Sequence, residues 1–237
     1  LRFDLTHTQR IPSQLKQELL FIPGRVKLAY LVAVLRNFLG LGESNPSGKK
    51  SDKDSEEFDL IADLTGKKSS KHQKIDKKKK GGKWSKSDAA NGLEQLLRGG
   101  NGDRENSRKS AIIFVGSCQR CAEISTTLIE LGIDCVALHS LLSQPKRLSS
   151  LQRFRDSSSR LLLATDVASR GLDIPTVELV INYDLPKENE TYIHRIGRSG
   201  RFGRKGTAIN FVTQYDITTL KSIEKFYDTA IQQLPAD

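Results

Sequence analysis

Three arginines recur at three-residue spacing, Arg195, Arg198 and Arg201, in the run His194-Arg195-Ile196-Gly197-Arg198-Ser199-Gly200-Arg201. A guanidinium presents planar, parallel N–H donors that match the oxygens of a phosphate group. No acid stands between His194 and Lys205 to neutralise the run, which continues through Phe202-Gly203-Arg204-Lys205-Gly206. At a helix end the three make a cationic cluster. An isolated arginine pair is ordinarily a solvated basic turn. Gly197 and Gly200 argue for more, because glycine lets the backbone approach a ligand or a neighbouring chain closely.

A second set of residues suits the same chemistry. Ser117, Arg147 and Thr165 offer two hydroxyls and a guanidinium, groups that donate to a phosphate backbone without reading bases. Gly116 allows close approach. Each has an ordinary alternative: Ser117 as a helix N-cap, Thr165 as a cap, Arg147 as a surface charge. The functional reading rests on their following successive predicted strands at one sheet edge. Cys118, Cys121, Cys135 and His139 have spacing compatible with zinc. Yet Cys118 and Cys121 fall at a predicted helix start, and Cys135 falls in an apolar strand, where cysteine behaves as a small hydrophobe. No metal site is expected.

The elements that must position these groups alternate. Short apolar strands are predicted at Gln17–Ile22, Ala111–Val115, Cys135–Leu138, Arg160–Ala164, Leu179–Asn182 and Thr207–Val212. Helical spacing predicts helices at Arg25–Leu39, Gln119–Leu131, Gln144–Phe154, Asn189–Ile196 and Tyr215–Tyr227. Strands separated by helices of this length indicate βαβ units and a parallel, three-layer α/β sheet, its central strands buried on both faces. Ligands of such sheets bind beyond the carboxyl ends of the strands.

The composition changes after Gly40. Residues 40–109 are rich in Gly, Ser, Asn and lysine clusters, including Lys77-Lys78-Lys79-Lys80, and basic residues outnumber acids 17 to 12. So few apolar groups cannot offset the entropy of ordering, and a lysine-rich, mostly disordered insertion within the domain is expected. Short helical turns at Glu56–Leu64 and Ala89–Leu97 are the exceptions. The whole chain, 237 residues with a formal charge of +10, suits a polyanionic partner. Three cysteines do not make a disulfide framework and fit a reducing compartment. There is no apolar run long enough for a membrane span and no secretory signal pattern. The chain opens on Leu1 and has no methionine, so a segment of a longer protein is expected.

Five stretches, in order, resemble the DEAD-box helicases. Ile112–Ser117 resembles the family's IIFVNT strand, and His139–Arg147 its HGxLSQxxR segment. Leu161–Pro175, which contains ATDVASRGLDIP, is similar to ATDVAxRGLDIP; Val180–Pro186 is similar to VINYDxP; and His194–Arg201 resembles HRxGRxxR. Departures are Ser140 where the family usually has Gly, Gly116 where Asn or Asp is common, and Ser199 where Thr is usual. The resemblance implies the second RecA-like domain (P-loop NTPase-like) of an ATP-dependent RNA helicase. It implies Arg198 and Arg201 as arginine fingers on ATP, with His194 coupling the nucleotide to RNA. Asp173 would bond the ATP ribose, and Arg170 would bridge to the first domain. Gly116, Ser117, Arg147 and Thr165 would meet the RNA backbone.

The phosphate loop and the Asp-Glu-Ala-Asp sequence, which would hold Mg2+, do not occur in the chain. They are expected in an N-terminal RecA-like domain of the same protein, and half an active site is expected to be inactive alone. Val212–Ile217 and the lysine-rich insertion resemble nucleolar members that assist ribosomal RNA processing and small-subunit assembly. From this follow the expectations of a nuclear, nucleolar location, pre-ribosomal RNA and a protein activator as partners, and no membrane. The alternatives are another nuclear RNA-processing step or a non-enzymatic RNA-binding module.

Overall fold

The computed structural model describes residues 11–12, 14–41, 109–169, 171–200 and 203–234. Among these, 11–27 and 109–234 form one compact unit, and 28–41 belong to another. The greater part of the predicted insertion, 42–108, lies outside the described residues, and with it the two short helical turns.

The first unit contains a seven-stranded sheet. Its strands are β1 (Leu15–Phe21), β2 (Ala111–Phe114), β3 (Val136–Leu138), β4 (Leu161–Ala164), β5 (Leu179–Asn182), β6 (Gly206–Val212) and β7 (Gln232–Gln233). They lie in the order β3-β4-β2-β5-β6-β1-β7, and every pairing is parallel. Helix α1 (Lys27–Leu39) follows a single 3-10 turn, Gly24–Val26. Its Leu31, Val34, Leu35 and Phe38, at three- and four-residue spacing, are buried. The remaining helices are α2 (Cys118–Glu130), α3 (Gln144–Arg155), α4 (Asp166–Ser169), α5 (Asn189–Ile196) and α6 (Ile217–Tyr227). No described helix is long and apolar enough to cross a membrane.

This is the expected α/β architecture, with central strands buried on both faces. Strand register puts Ile112, Leu162, Val180 and Ala208 on one face, and Phe114, Ala164, Asn182 and Asn210 in the next row of that face. There they meet Leu151 and Phe154 of α3, Ala168 of α4, Tyr192 and Ile196 of α5, and Ile223 of α6 in two apolar clusters. Ile113, Leu163, Ile181 and Ile209, on the opposite face, are equally closed to water. Predicted boundaries of the strands and helices fall within two residues of those observed. The short α4 and β7 have no sequence expectation. Four residues carry too little periodicity to show a helix, and two exposed glutamines show no strand alternation.

A polar chain crosses the buried face. Asn182 donates to Asn210 at 2.8 Å. Asn210 donates to the Glu18 carbonyl at 3.0 Å and to the Tyr192 hydroxyl at 3.2 Å. Tyr192 in turn donates to Gln17 at 2.8 Å. Each member is partnered, so the chain ties β5, β6, β1 and α5 in one register without an unmet donor.

The loop from α5 to β6 is held against the sheet as closely. Ser199 is fully buried; its hydroxyl donates to the Glu178 carbonyl at 3.0 Å, and the Val177 N–H donates to the Arg198 carbonyl at 2.9 Å. Gly206 leaves room for this contact: a Cβ there would stand 2.3 Å from both the Gly200 nitrogen and the Ser199 Oγ. Replacing Gly206 with Ala is therefore expected to destabilise the domain by about 1–3 kcal/mol, the usual cost of overpacking. Urea denaturation of the two proteins measures it; an unchanged midpoint contradicts the close approach.

Candidate functional site

The carboxyl ends of β2, β4 and β5 converge on Arg195, near the end of α5. Its side chain is 2% exposed. Nε and Nη2 donate to the two oxygens of Asp166 at 2.6 and 2.7 Å, a bidentate pair. Nη1 donates to Asn182 Oδ1 at 3.0 Å and to the Asp184 carbonyl at 2.6 Å. The guanidinium lies 5.0 Å over the Phe114 ring. Arg195 is thus not part of an available cationic trio. The absence of a nearby acid in sequence is real, but the neutralising carboxylate comes from 29 residues upstream. Nothing in the spacing of the run reveals this; only the fold brings Asp166 there.

Beside this pair is a cavity of about 230 Å³ whose walls include Phe114, Asp166, Ser169, Thr191, His194 and Arg198. His194 and Arg198, two of the sequence candidates, are therefore brought together. His194 is exposed and Arg198 half-exposed, on either side of the buried Arg195. Gly171, at φ +72°, closes another part of the wall. Asp173 stands apart: its carboxylate is 97% exposed and pairs with Arg155 at 3.3 Å, while Arg155 Nε donates to the Asp173 carbonyl at 3.1 Å. Arg170 and Arg201 lie outside the described residues.

The second set gathers at the ends of β2, β3 and β4. Ser117 is the N-cap of α2 and accepts the Arg120 N–H at 3.2 Å, the ordinary role weighed for it, yet the residue stays exposed. Thr165 directly follows β4, and its N–H donates to the Leu138 carbonyl at 3.2 Å. Its hydroxyl is buried without a partner. Arg147 Nη1 donates to Gln144 at 3.3 Å and Nη2 to the Ala168 carbonyl at 3.5 Å, while its Nε is buried and unpartnered. His139, after β3, is buried with Nδ1 unpartnered. Orphaned buried polar atoms are uncommon, and these three surround one edge of the sheet.

Electrostatics at the same edge centre on Asp184. Lys27 Nζ lies 3.0 Å from Oδ1, Arg120 Nη1 lies 3.2 Å from it, and the Gly116 N–H donates to Oδ2 at 2.9 Å. Burial pushes the carboxyl up, but Lys27, the Gly116 N–H and Arg120 together hold it below its usual range.

Residues 88–203 match the helicase conserved C-terminal domain family. The chain is 49% identical over 127 residues to the ATP-dependent RNA helicase eIF4A of Saccharomyces cerevisiae, covering 54% of this chain and 32% of that protein. It superposes on the E. coli DEAD-box protein SrmB, solved bound to regulator of ribonuclease activity A. The TM-score there is 0.51 and the identity 38%, over 55% of this chain and 76% of that one. It also superposes on S. cerevisiae Dbp5 bound to RNA and ADP BeF3, with TM-score 0.62 and 25% identity, over 96% of this chain and 43% of that one. The chain belongs to the DEAD-box helicase family, as its C-terminal domain. Its sheet is the RecA-like sheet of that family. It spans about a third of the length of the curated relative it matches, 32%.

Each departure from the DEAD-box pattern has a structural counterpart. At Gly116 a Cβ would stand 3.3 Å from Asp184 Oδ2, so the glycine admits Asp184 to the Gly116 N–H. Ser140 places its hydroxyl 3.2 Å from the Cys118 sulfur. Ser199 satisfies its hydroxyl on the Glu178 carbonyl.

Two outcomes follow for the DEAD-box domain. Arg195→Ala leaves Asp166 and Asn182 without their donor and is expected to cost about 3 kcal/mol. That is the low end for a broken buried pair, because Asp166 keeps some contact with water. Loss of less than about 1 kcal/mol in urea denaturation contradicts the pairing. Burial lowers the His139 pKa from 6.5, so the unfolded chain binds the proton more readily. The contribution of His139 is complete above pH 6.5 and falls as the pH drops toward its lowered folded value. The stability of His139→Leu should therefore decline less than that of the parent on going below pH 6.5, and parallel curves would refute the assignment.

Proposed function

We propose that this chain is the C-terminal half of an ATP-dependent RNA helicase, in which ATP hydrolysis is coupled to local parting of an RNA duplex. The observation that carries the reading is the cavity shared by His194 and Arg198, built against the Asp166–Arg195 pair. Its donor set, a guanidinium and an imidazole, fits an anionic polyphosphate end. When ATP is bound between the two domains of the full enzyme, Arg198 and Arg201 neutralise charge on the terminal phosphoryl group. Asp173 bonds the ribose, Arg170 bridges the domains, and Mg2+ is held by the N-terminal domain. Gly116, Ser117, Arg147 and Thr165 meet the RNA backbone, which makes affinity salt-dependent and little dependent on sequence.

In finer terms, the reading is of a nucleolar enzyme acting on pre-ribosomal RNA in small-subunit assembly, with a protein activator. It is supported by the Val212–Ile217 segment and by the lysine-rich stretch at 40–109, a basic insertion within the domain that suits RNA tethering or nucleolar targeting.

Arg198→Ala in the full-length protein is expected to lower ATP turnover by about 10³-fold or more, the usual effect of removing an arginine finger. RNA affinity is retained, and the chain alone hydrolyses no ATP. Steady-state ATPase and RNA-binding measurements decide the matter: unchanged turnover leaves a non-enzymatic RNA-binding module as the better description.

A further inference from the structure

The chain has three thiols, and only one is placed to react. Cys121 and Cys135 are buried, and burial raises both to about 12. Cys118 is partly exposed in the first turn of α2, which contains no acid. Its sulfur is 3.2 Å from the Ser140 hydroxyl. That hydrogen bond outweighs the effect of burial and lowers the thiol pKa. Thr165 is 6% exposed, and its Oγ1 has no hydrogen-bond partner. Thr165 is tied through its N–H to Leu138, two residues before Ser140, so its open hydroxyl is a buried donor at the strand end where the sulfur lies. The neighbouring Gly116, Ser117, Ser140 and Leu141 are exposed. Arg120, two positions along the helix and 55% exposed, engages Asp184 through Nη1 alone, so its Nε and Nη2 are the groups that can meet a further carboxylate.

We propose that Cys118 is a site of mixed-disulfide formation with small disulfides that carry carboxylates, and that the adduct covers the Ser117–Thr165 edge. The thiolate of Cys118 attacks one sulfur of the incoming disulfide. A new sulfur–sulfur bond forms, the original one breaks, and the departing thiolate takes up the proton that Cys118 released. The incoming disulfide is the oxidant, and one equivalent of thiol is released for each chain modified. Arg120 receives a carboxylate of the adduct. The formation of the adduct depends on this structure alone. The statement that it obstructs RNA rests on the function proposed above.

The native chain is treated with oxidised glutathione, and the product is analysed by intact mass and peptide mapping. One adduct per chain is expected, on Cys118, forming at least roughly a hundredfold faster than on Cys121 or Cys135, because the thiolate is the reacting species. Dithiothreitol should remove it. Ser140→Ala should slow the reaction, and Cys118→Ser should abolish it. No adduct on Cys118, or equal labelling of all three cysteines in the folded chain, overturns the proposal. In a second arm, a single-stranded RNA oligonucleotide is added to the full-length protein before labelling and is expected to protect Cys118. Labelling of Cys118 that RNA leaves unchanged overturns the RNA reading of this edge while the mixed disulfide stands.

Discussion

A guanidinium cannot release its charge at neutral pH, so burying one among apolar side chains is tolerated only where acceptors meet its N–H groups. Arg195 is buried in this way, and its acceptors come from two parts of the chain: the Asp166 carboxylate at the start of α4, and the Asn182 amide oxygen and Asp184 carbonyl at the end of β5. The requirement fixes the end of α5 to the start of α4 and to the end of β5. Asn182 extends the constraint to Asn210 and through it to Tyr192 and Gln17, so that the polar chain reaches β1. Removing any one acceptor would leave part of a buried charge unmet.

The two candidate groups of functional residues are positioned by this one arrangement. His194 and Arg198 flank Arg195 on the same stretch of chain and share its cavity. Thr165 is the residue before Asp166, so the hydroxyl at the other group is one peptide unit from the carboxylate that holds Arg195. The two groups are therefore joined through one stretch of chain within the domain.

Much of this was legible in the sequence, for physical reasons that differ by residue. The strands Ala111–Phe114, Leu161–Ala164 and Leu179–Asn182 are buried on both faces and so appear as unbroken apolar runs. The grouping of His194 with Arg198 follows from local spacing in one helix and the turn after it. Arg195 misleads because its partner is remote: a run of three arginines looks the same whether one of them faces water or a buried aspartate. Asp166 and Asn182 were visible within recognisable segments, but their roles depend on strand register. Sequence spacing does not express the row in which Phe114, Asn182 and Asn210 lie side by side. The unpartnered atoms of Thr165, His139 and Arg147 are properties of packing alone.

The division of the proposed site between two domains also has an electrostatic rationale. In this domain Arg198 borders an open cavity and keeps part of its surface in water, where a guanidinium–phosphate pair is worth little. The same pair strengthens several-fold as water is excluded and the effective dielectric falls. On the proposed reading, an arginine held in position but left wet would bind nucleotide weakly while the cleft is open. On that reading it would act fully only when a second surface covers the cavity and the phosphate together. In the proposed function, the buried, fully partnered Arg195 supplies the rigidity, and the half-exposed Arg198 supplies the charge that closure switches on. Neutral residues in place of Asp166 and Arg195 could pack the same volume, but their apolar contacts would not orient α5 through directional bonds.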